Sequence, residues 1–430
     1  MNNYDLIILG GGPGGYNAAF RAAELGKKVA IVDDNNLGGV CLNWGCIPTK
    51  SLLKNAEVMD LINTSESYGI SVKDIAVDFE SILSKSVQAR QRLSKGLHHQ
   101  VKKHNIDFHA GFGTFTDKNT ITVNDTTITA EKFIIATGSK PKTLPNLNAS
   151  EVVYAKDIFQ MKSIPKSITI IGAGAIGVEF AYFFNSFGTN VTLIEAEDTI
   201  LPHEDKEVSQ WIEKVFKKKK INVLTGTLAD NIDDEKVLIS VGVEGNSTGM
   251  GLKGLGLEFS DNNHIAVNEH GKTNIDNIYA VGDVIGAPWL AHVSAAEGLY
   301  VAEHLCGLNP KQIDYNSIPA CTYSKPEVAS IGATEQTLVD SNIEFKVAKS
   351  FFISNGKAVA VRSTDGFIKI LVGTKGDILG AHIVGSNATE MISELSIIKT
   401  NNLTIENIFN SVHPHPTFSE AIFETLLQLK

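Results

Sequence analysis

Two segments of the sequence repeat one another without a gap. Residues 4–34 read YDLIILGGGPGGYNAAFRAAELGKKVAIVDD, and residues 167–196 read SITIIGAGAIGVEFAYFFNSFGTNVTLIEA. Each segment has an apolar run, a Gly-x-Gly-x-x-Gly turn, a helical stretch that stops at a glycine, a second apolar run and an acid. This order predicts a strand, a helix and a second, parallel strand. The chain must therefore fold around two α/β units of the same kind.

The glycines and acids of the repeat return in constant register. The matched pairs are Gly10 and Gly172, Gly12 and Gly174, Gly15 and Gly177, Gly26 and Gly188, and Asp33 and Glu195. The first glycine allows a tight turn, the second lets the backbone approach a pyrophosphate, and the third lets the helix pack on the strand. The helix N-terminus then offers N–H groups to the phosphates, and the acid accepts from ribose hydroxyls. Two ordinary α/β units that bind nothing are the alternative, but the paired acids favour two Rossmann-like dinucleotide-binding domains.

The acid of the second repeat indicates which nicotinamide dinucleotide it binds. Glu195 would repel a 2′-phosphate, whereas an arginine would be needed to hold one. None of the four arginines of the chain lies near this segment; they are Arg21, Arg90, Arg92 and Arg362. We therefore expect NAD rather than NADP at the second site.

Two later segments are predicted to join the dinucleotide site of the first repeat. Residues 134–138 read IIATG, a buried strand followed by the small turn Thr137-Gly138, and residues 273–283 end a strand at Gly282-Asp283. A carboxylate at the carboxyl end of such a strand lies in the crevice where doubly wound sheets bind ligands. Asp283 could equally be the N-cap of a helix, and the two roles are compatible.

Cys41 and Cys46 are the close cysteine pair of the segment LGGVCLNWGCIPTKSLL, residues 37–53. In a straight helix five residues rise about 7.5 Å, which is further apart than the Cα atoms of a disulfide lie. If the pair bonds, Gly45 and Pro48 must distort the turn before a helix begins. Two buried thiols and a metal site are the alternatives, although no second Cys/His cluster of ligand spacing is nearby. The position directly after a dinucleotide-binding unit favours a redox pair; Cys306 and Cys321 are expected to be small buried apolar residues.

The motif GGVCLNWGCIPTK resembles the redox-active motif of the class I flavoprotein pyridine nucleotide-disulfide oxidoreductases. The resemblance covers essentially the whole chain, including IPACTYSKPEVASIG at 318–332 and VHPHPTFSEAIFE at 412–424. Within that family, HPHPTFSE and Leu290-Ala291-His292 resemble the dihydrolipoamide dehydrogenase branch. The resemblance implies FAD and NAD as cofactors and three domains: an FAD domain at 1–140 and 272–305, a shortened NAD domain at 141–271, and an α+β dimerisation domain at 306–430.

The resemblance also assigns the catalytic roles. Cys41 corresponds to the cysteine that exchanges with substrate, and Cys46 to the one that lies against the flavin as a thiolate. The histidine that activates them belongs to the partner subunit of a homodimer and corresponds to His415, oriented by Glu420. Without the resemblance, His413 and His415 would both be interpreted as surface histidines.

The remaining site residues follow from the same resemblance. Lys50 would lie at the flavin N5 paired with Glu179, although each could be an unrelated surface charge. The other implied cofactor contacts are Asp33 to the adenosine ribose, Asp283 to the ribityl chain, Gly113 to the adenine, Thr137 and Gly138 at the flavin site, Gly242 beside the NAD, and a helix from Ala291 and His292 toward the flavin N1/C2 edge.

The implied function is oxidation of protein-bound dihydrolipoyl groups to the lipoyl disulfide, with NAD⁺ as hydride acceptor. Such an enzyme is the shared subunit of 2-oxo acid dehydrogenase or glycine cleavage complexes, and lipoyl domains are its partners. Two alternatives are an NAD(P)H-dependent reductase of another small disulfide and a flavin-binding subunit without turnover.

The sequence departs from the family in the second domain. About one β-hairpin is missing between Thr225 and Leu238, and Val243 and Gly245 stand where an arginine and a proline are expected. The net charge of −10 argues against nucleic acid as a partner. No stretch predicts a membrane span and no targeting segment precedes the first strand, so we expect a cytoplasmic protein.

Overall fold

The computed structural model describes residues 2–34 and 37–430. Its strands are β1 Asn2–Leu9, β2 Val29–Asp33, β3 Asp107–Ala110, β4 Gly113–Asp117, β5 Thr120–Val123, β6 Thr126–Ile135, β7 Ser139–Pro141, β8 Asn148–Ala149, β9 Val152–Val153, β10 Ser167–Ile171, β11 Asn190–Ile194, β12 Asn222–Leu224, β13 Asn231–Ile232, β14 Lys236–Ile239, β15 Val243–Gly245, β16 Ile278–Ala280, β17 Pro319–Thr322, β18 Glu327–Gly332, β19 Phe345–Phe351, β20 Phe367–Gly373 and β21 Ile378–Gly385. Its α-helices are α1 Pro13–Glu24, α2 Gly39–Trp44, α3 Cys46–Asn63, α4 Phe79–Lys103, α5 Ala155–Ile158, α6 Ala175–Ser186, α7 Lys206–Lys218, α8 Ala291–Leu305, α9 Glu335–Asp340, α10 Gly356–Ala360, α11 Ala388–Thr400, α12 Ile405–Phe409 and α13 Glu420–Leu426.

The first compact unit takes in the chain up to Ser51, residues 80–143 and residues 242–313. Its seven-stranded sheet has the order β3-β2-β1-β6-β5-β4, with β16 also paired to β6. Strand β1 is parallel to both neighbours, and Ile8 lies opposite Ile31 and Ile134. All three side chains are fully buried, as expected for parallel strands covered on both faces. The first copy of the repeat thus forms the predicted strand, helix and strand.

Strand β6 connects two parts of this sheet. Its first half pairs with β5 in an antiparallel meander, whereas its last residues, Phe133 to Ile135, pair in parallel with β16. The carboxyl ends of β6 and β16 therefore lie side by side. The Thr137-Gly138 turn and Asp283, which follow these two ends, are brought to the same edge of the sheet.

The second compact unit takes in residues 52–79, 144–241 and 314–430. One of its sheets has the order β12-β11-β10-β14-β9 and is parallel throughout. Ile170 of β10 lies opposite Leu193 and Leu238, and all three are buried. The second copy of the repeat therefore also forms the predicted strand, helix and strand.

The connection from β12 to β14 is short. Over residues 225–235 the structure has one two-residue strand, β13, which pairs with β8. The corresponding connection of the first unit contains the strands β4 and β5, which form a meander with β6. Just before β14, the Asp234 carboxylate accepts from the buried Thr169 hydroxyl of β10.

The second sheet of this unit is antiparallel, in the order β17-β18-β21-β20-β19. Residues of α11 and α13 join its apolar side chains in one core, which includes Ile370, Ile383, Leu395 and Ile422. This arrangement confirms the predicted α+β C-terminal part. Among the helices that the structure describes, none combines the length and apolar composition needed to span a bilayer.

Candidate active site and dinucleotide sites

The redox segment is two helices broken at a glycine. Cys41 lies in α2, Cys46 is the first residue of α3, and the two form a disulfide with a Cα–Cα distance of 4.6 Å. A side chain at Gly45, which lies between them, would place its Cβ 2.9 Å from the carbonyl oxygen of Val40. The disulfide, and the break in the helix that it requires, are therefore as predicted.

Backbone contacts hold this segment against the first glycine turn. The N–H of Gly38 donates to the carbonyl of Gly11 at 2.7 Å. Gly39 has a φ of +58°, and a Cβ there would lie 2.7 Å from the Cα of Gly12. No larger residue could approach so closely, so the glycines of the motif place the cysteine pair beside the first dinucleotide turn.

The first glycine turn has the shape that a dinucleotide pyrophosphate requires. A Cβ at Gly10 would collide with the carbonyl of Ala136, and one at Gly15 with the carbonyl of Gly10. The Oδ2 atom of Asp33 accepts from the N–H of Gly11 at 2.5 Å. Among the described residues, no side chain caps the N-terminus of α1 at Gly12. The N–H groups of its first turn thus remain available to phosphate oxygens, which fits FAD.

The second glycine turn repeats these contacts. A Cβ at Gly172 would collide with the carbonyl of Ser240, and one at Gly177 with that of Gly172. The Oε2 atom of Glu195 accepts from the N–H of Ala173 at 2.6 Å. Helix α6 likewise has no side-chain cap at Gly174 from the part of the chain that the structure describes. The residues fit a second dinucleotide with its ribose at the acid.

Asp283 lies among polar side chains of the first unit. Its carboxylate accepts from the hydroxyl of Ser139 at 2.8 Å and faces that of Ser294 at 3.5 Å. Burial raises the pKa of this carboxyl, and the Ser139 hydrogen bond opposes the rise. Asp283 is inside a 3-10 helix, Gly282–Ile285, rather than at its N-cap. The capping alternative is therefore wrong.

Three residues around Asp283 were not predicted from the sequence. They are Ser139, Ser294 and Glu297, whose carboxylate accepts from the N–H of Gly282 at 2.6 Å. Ser139 directly follows the Thr137-Gly138 turn, so its position offered a signal. The other two lie within α8, and no local pattern separates them from packing residues.

The other predicted cofactor residues lie as follows. The Thr137 hydroxyl donates to the carbonyl of Asn246 at 2.7 Å, and Gly138 and Gly242 have φ values of +71° and +98°. Ala291 and His292 begin α8, as predicted. Gly113 begins β4, where a Cβ would lie 3.1 Å from Val32. The turn glycines thus have backbones that a larger residue rarely adopts, while contact of these residues with a cofactor stays a prediction.

Lys50 and Glu179 belong to different helices. Lys50 is half-buried in α3. Glu179 is buried in α6, and its carboxylate accepts from the N–H of Tyr323 at 3.0 Å. Their pairing stays a prediction.

His415 and Glu420 form a pair that is open on one side. The Nδ1 atom of His415 lies 2.8 Å from Oε1 of Glu420, and the N–H of Thr417 donates to the other carboxylate oxygen at 2.7 Å. Because a carboxylate can only accept, Nδ1 carries the proton and Nε2 keeps a lone pair. The His415 side chain is 75% exposed. The Thr417 hydrogen bond and then His415 lower the pKa of Glu420, so the orienting charge is retained.

The ring of the neighbouring His413 is already held by other side chains. Its side chain is only 10% exposed, Nε2 lies 2.8 Å from Oε1 of Glu394, and its ring packs against Phe423. Geometry therefore separates the two histidines, which the residue pattern alone left equivalent. Of the two, only His415 presents a ring nitrogen to an incoming group.

Comparison with known proteins gives the family. The model described as pyridine nucleotide-disulphide oxidoreductase matches residues 4–298, and the model of the dimerisation domain of the same family matches residues 318–426. The chain belongs to the pyridine nucleotide-disulphide oxidoreductase family. Its relatives include proteins named dihydrolipoyl dehydrogenase from Zymomonas mobilis (39% identical, covering 99% of this chain and 98% of the relative) and Corynebacterium glutamicum (40%, covering 98% and 97%).

Solved structures agree on the fold. LpdA from Mycobacterium tuberculosis superposes with a TM-score of 0.93 at 22% identity, with 100% of both chains covered. The HOCl-induced flavoprotein disulfide reductase RclA from Escherichia coli gives 0.90 at 24% identity, with 99% of this chain and 100% of that chain covered. The predicted fold, two Rossmann-like domains followed by an α+β dimerisation domain, is confirmed.

Family membership also bears on the cofactors. The family model indicates flavin and nicotinamide binding, and dihydrolipoyl dehydrogenases use FAD and NAD, so the cofactor prediction is confirmed. The alignments to the Zymomonas mobilis and Bacillus subtilis relatives span 456 and 462 positions, which is more than the 430 residues of the chain. The relatives therefore carry residues that this chain lacks, in agreement with the short connection from β12 to β14.

Proposed function

We propose that the chain is a dihydrolipoyl dehydrogenase that oxidises protein-bound dihydrolipoyl groups and reduces NAD⁺. The observation that carries the proposal is the Cys41–Cys46 disulfide, which backbone contacts hold against the first glycine turn. The names of the relatives supply the substrate. The acid at the second turn supports NAD⁺ as the acceptor.

The thiol chemistry follows from the placement of the two cysteines. A substrate thiolate attacks Sγ of Cys41, the Cys41–Cys46 bond breaks, and Cys46 leaves as a thiolate. The second substrate thiol then displaces Cys41, which releases the lipoyl disulfide and leaves both cysteines reduced. The bound flavin supplies the two-electron link between this reduced pair and NAD⁺.

His415 is proposed as the base for these steps. It accepts a substrate thiol proton at Nε2, because Nδ1 is held by Glu420. Its exposure in the isolated chain suits a residue that works in the site of a partner subunit of a homodimer. The match to a dimerisation domain supports that assembly.

The dinucleotides are proposed to use the residues already described. Asp33 and the first turn hold the adenosine end of FAD, with Gly113 near the adenine, and Asp283 holds its ribityl chain. Thr137, Gly138, Ala291 and His292 complete the flavin site, and Lys50 pairs with Glu179 beside it. The second turn, Glu195 and Gly242 hold NAD.

The substrate is tested by mixing the holoenzyme with dihydrolipoamide and either NAD⁺ or NADP⁺. We expect rapid NADH formation that Cys41→Ser abolishes. Turnover only with NADPH and a different disulfide would reject the substrate while keeping the family. A flavin-containing protein inert to both would indicate binding without turnover.

The use of His415 across subunits is tested by hybrid dimers. Cys41→Ser and His415→Gln homodimers should both be nearly inactive. In a hybrid, one site combines the intact Cys41 of one subunit with the intact His415 of the other, so activity should reappear on mixing and exchanging subunits. If His415 served its own subunit, the hybrid would stay inactive.

The partner is proposed to be the lipoyl domain of a 2-oxo acid dehydrogenase or glycine cleavage complex. A lipoylated domain should therefore be a better substrate than free dihydrolipoamide at equal concentration. Equal kcat/KM values for the two would argue against recognition of the carrier protein.

A further inference from the structure

The loop after Glu195 touches the second glycine turn through a strained residue. Leu201 is buried with a φ of +48°, a backbone conformation that is unfavourable for a bulky side chain. Its N–H donates to the carbonyl of Ala173 at 2.8 Å, and its own carbonyl accepts from the N–H of Glu204 at 2.9 Å. Ala173 is the residue whose N–H binds Glu195. The segment Leu201–Asp205 is therefore coupled to the second dinucleotide turn.

The other end of this segment is buried against the antiparallel sheet of the same unit. Asp205 accepts from the ammonium of Lys369 at 2.9 and 3.1 Å, and both side chains are at most 2% exposed. Glu204 is 11% exposed, and its Oε1 atom accepts from the hydroxyl of Ser330 at 3.0 Å. Its Oε2 atom lies 4.0 Å from Nδ1 of His382, which is 1% exposed.

Glu204 Oε2 and His382 Nδ1 are both buried, and among the described residues neither has a hydrogen-bond partner. The Nε2 atom of His382 lies 3.1 Å from the carbonyl of Ala333, which can only accept. Nε2 therefore carries the proton, and Nδ1 of the neutral ring is an acceptor. An ionised Glu204 would place a second acceptor 4.0 Å from this nitrogen, whereas a protonated Glu204 places a donor there. The separation is beyond hydrogen-bond distance, so the contact disfavours the anion through charge and polarity.

The surrounding charges also favour a neutral Glu204. Three carboxylates already face Lys369, those of Asp205, Glu207 and Glu335. The other groups in this cluster, taken element by element, are Lys349 on β19, which pairs with Glu207, Ser330 on β18 and His382 on β21. A further negative charge would add to an excess of acids.

We propose that Glu204 is a positioning residue for NAD: its carboxyl, buried in the protonated form beside Nδ1 of His382, keeps the Leu201–Asp205 segment against the second glycine turn. The burial of both the Glu204 carboxyl and the His382 ring supports this assignment. It raises the pKa of Glu204 to about 7, against the Ser330 hydrogen bond, and it lowers the pKa of His382. Each group is therefore neutral where both are buried.

Loss of the proton has a defined consequence. Two acceptors are then left together without a donor, and this is costly away from water. The segment can relieve the cost by moving Glu204 toward solvent, which also releases the strain at Leu201. The contact from Leu201 to Ala173 weakens as a result. NAD affinity then falls as the pH rises through the pKa of Glu204.

The experiment measures the Kd of NAD⁺ for the oxidised holoenzyme by titration calorimetry, from about pH 6 to about pH 8.5. No substrate turns over, so the result is independent of the proposed dihydrolipoyl activity. In the wild type we expect the Kd to rise about fivefold or more over this range. Glu204→Gln keeps the shape and supplies an N–H donor, so its Kd should not change with pH.

Two further variants make the test specific. Glu207→Gln also faces Lys369 but does not contact His382, and it should keep the wild-type pH dependence. Ser330→Ala removes a hydrogen bond that favours ionisation, and it should move the midpoint to higher pH even if Glu204→Gln folds poorly. At low pH, the infrared spectrum of the wild type should contain one buried-carboxyl band that is missing from the spectrum of Glu204→Gln, as seen in the difference between the two. Parallel Kd profiles of wild type and Glu204→Gln, or identical carboxyl bands in the two proteins, would overturn the proposal.

Discussion

The Oε2 atom of Glu195 accepts a hydrogen bond from the N–H of Ala173 at 2.6 Å. The other oxygen of this carboxylate accepts from the N–H of Glu197 at 3.0 Å. The acid thus fixes the turn that faces the pyrophosphate and also places a negative charge where the adenosine ribose is expected. Asp33 makes the corresponding contact with Gly11 in the first unit.

Glu195→Gln separates these two contributions. Its amide oxygen can still accept from Ala173, but the charge that repels a 2′-phosphate is gone. We expect the ratio of kcat/KM for NADP⁺ to that for NAD⁺ to rise about tenfold. A hydrogen bond to a charged group contributes roughly 1.5–3 kcal/mol, and tenfold corresponds to the low end of that range. Glu213→Gln, on the α7 surface, is the control and should not change the ratio. An unchanged ratio in Glu195→Gln would show that selectivity lies elsewhere.

Cys41→Ser and Cys46→Ser should each abolish oxidation of dihydrolipoamide, because either change removes the disulfide. Reduction of the flavin by NADH does not need the pair, so it should persist in both variants and is measured by stopped-flow absorbance. Cys306→Ser is the matched control, since this half-buried thiol is outside the redox segment and burial raises its pKa. Turnover that survives in Cys41→Ser would reject the assignment.

Gly45→Ala tests the break between α2 and α3. The added Cβ would lie 2.9 Å from the carbonyl of Val40 and 3.2 Å from the Cα of Cys41, and both are backbone atoms that cannot move alone. We expect slower formation of the disulfide from the reduced protein, followed by thiol titration. At Gly96 in α4, an added Cβ would meet no other described residue within 4 Å outside its own helical turn, so Gly96→Ala should instead stabilise the helix by up to about 1 kcal/mol. Equal effects of the two changes would contradict this explanation.

The elements that could be predicted from the sequence are those that repeat and those whose backbone requires a glycine. Two glycine turns with their acids identified both parallel sheets, and Gly45 with Pro48 identified the helix break. Contacts between distant positions had no such signal. Nothing local connects Glu297 to Gly282 or Glu204 to His382, because each contact is made only when separate elements pack. His413 and His415 look alike in sequence, and only burial by Phe423 and Glu394 distinguishes them.

Glu420→Gln tests the orientation of His415. The neutral amide keeps the size of the carboxyl but no longer stabilises a positive ring, so kcat should fall by about tenfold to a hundredfold. Because the pKa of Glu420 is lowered, its carboxylate stays ionised at neutral pH. The orienting charge is lost only at a pH below the ordinary carboxyl pKa. Glu394→Gln, which affects the buried His413, should lower stability without changing kcat. The reverse result would assign the base to His413.

The buried proton of Glu204 also makes a prediction about stability. The pKa of this group is about 7 in the folded chain, against an ordinary value of 4.5, so its contribution is complete below about pH 4.5 and is lost as the pH rises to about 7. Glu204→Gln does not titrate. Relative to this variant, the wild type should therefore lose of the order of 3 kcal/mol across that range and change no further above it. Thermal unfolding midpoints from about pH 5 to about pH 8 measure the difference, and Glu213→Gln should follow the wild type because its carboxylate lies on the surface beside Lys217. If the wild type instead became more stable relative to Glu204→Gln as the pH rises, Glu204 would be buried as an anion.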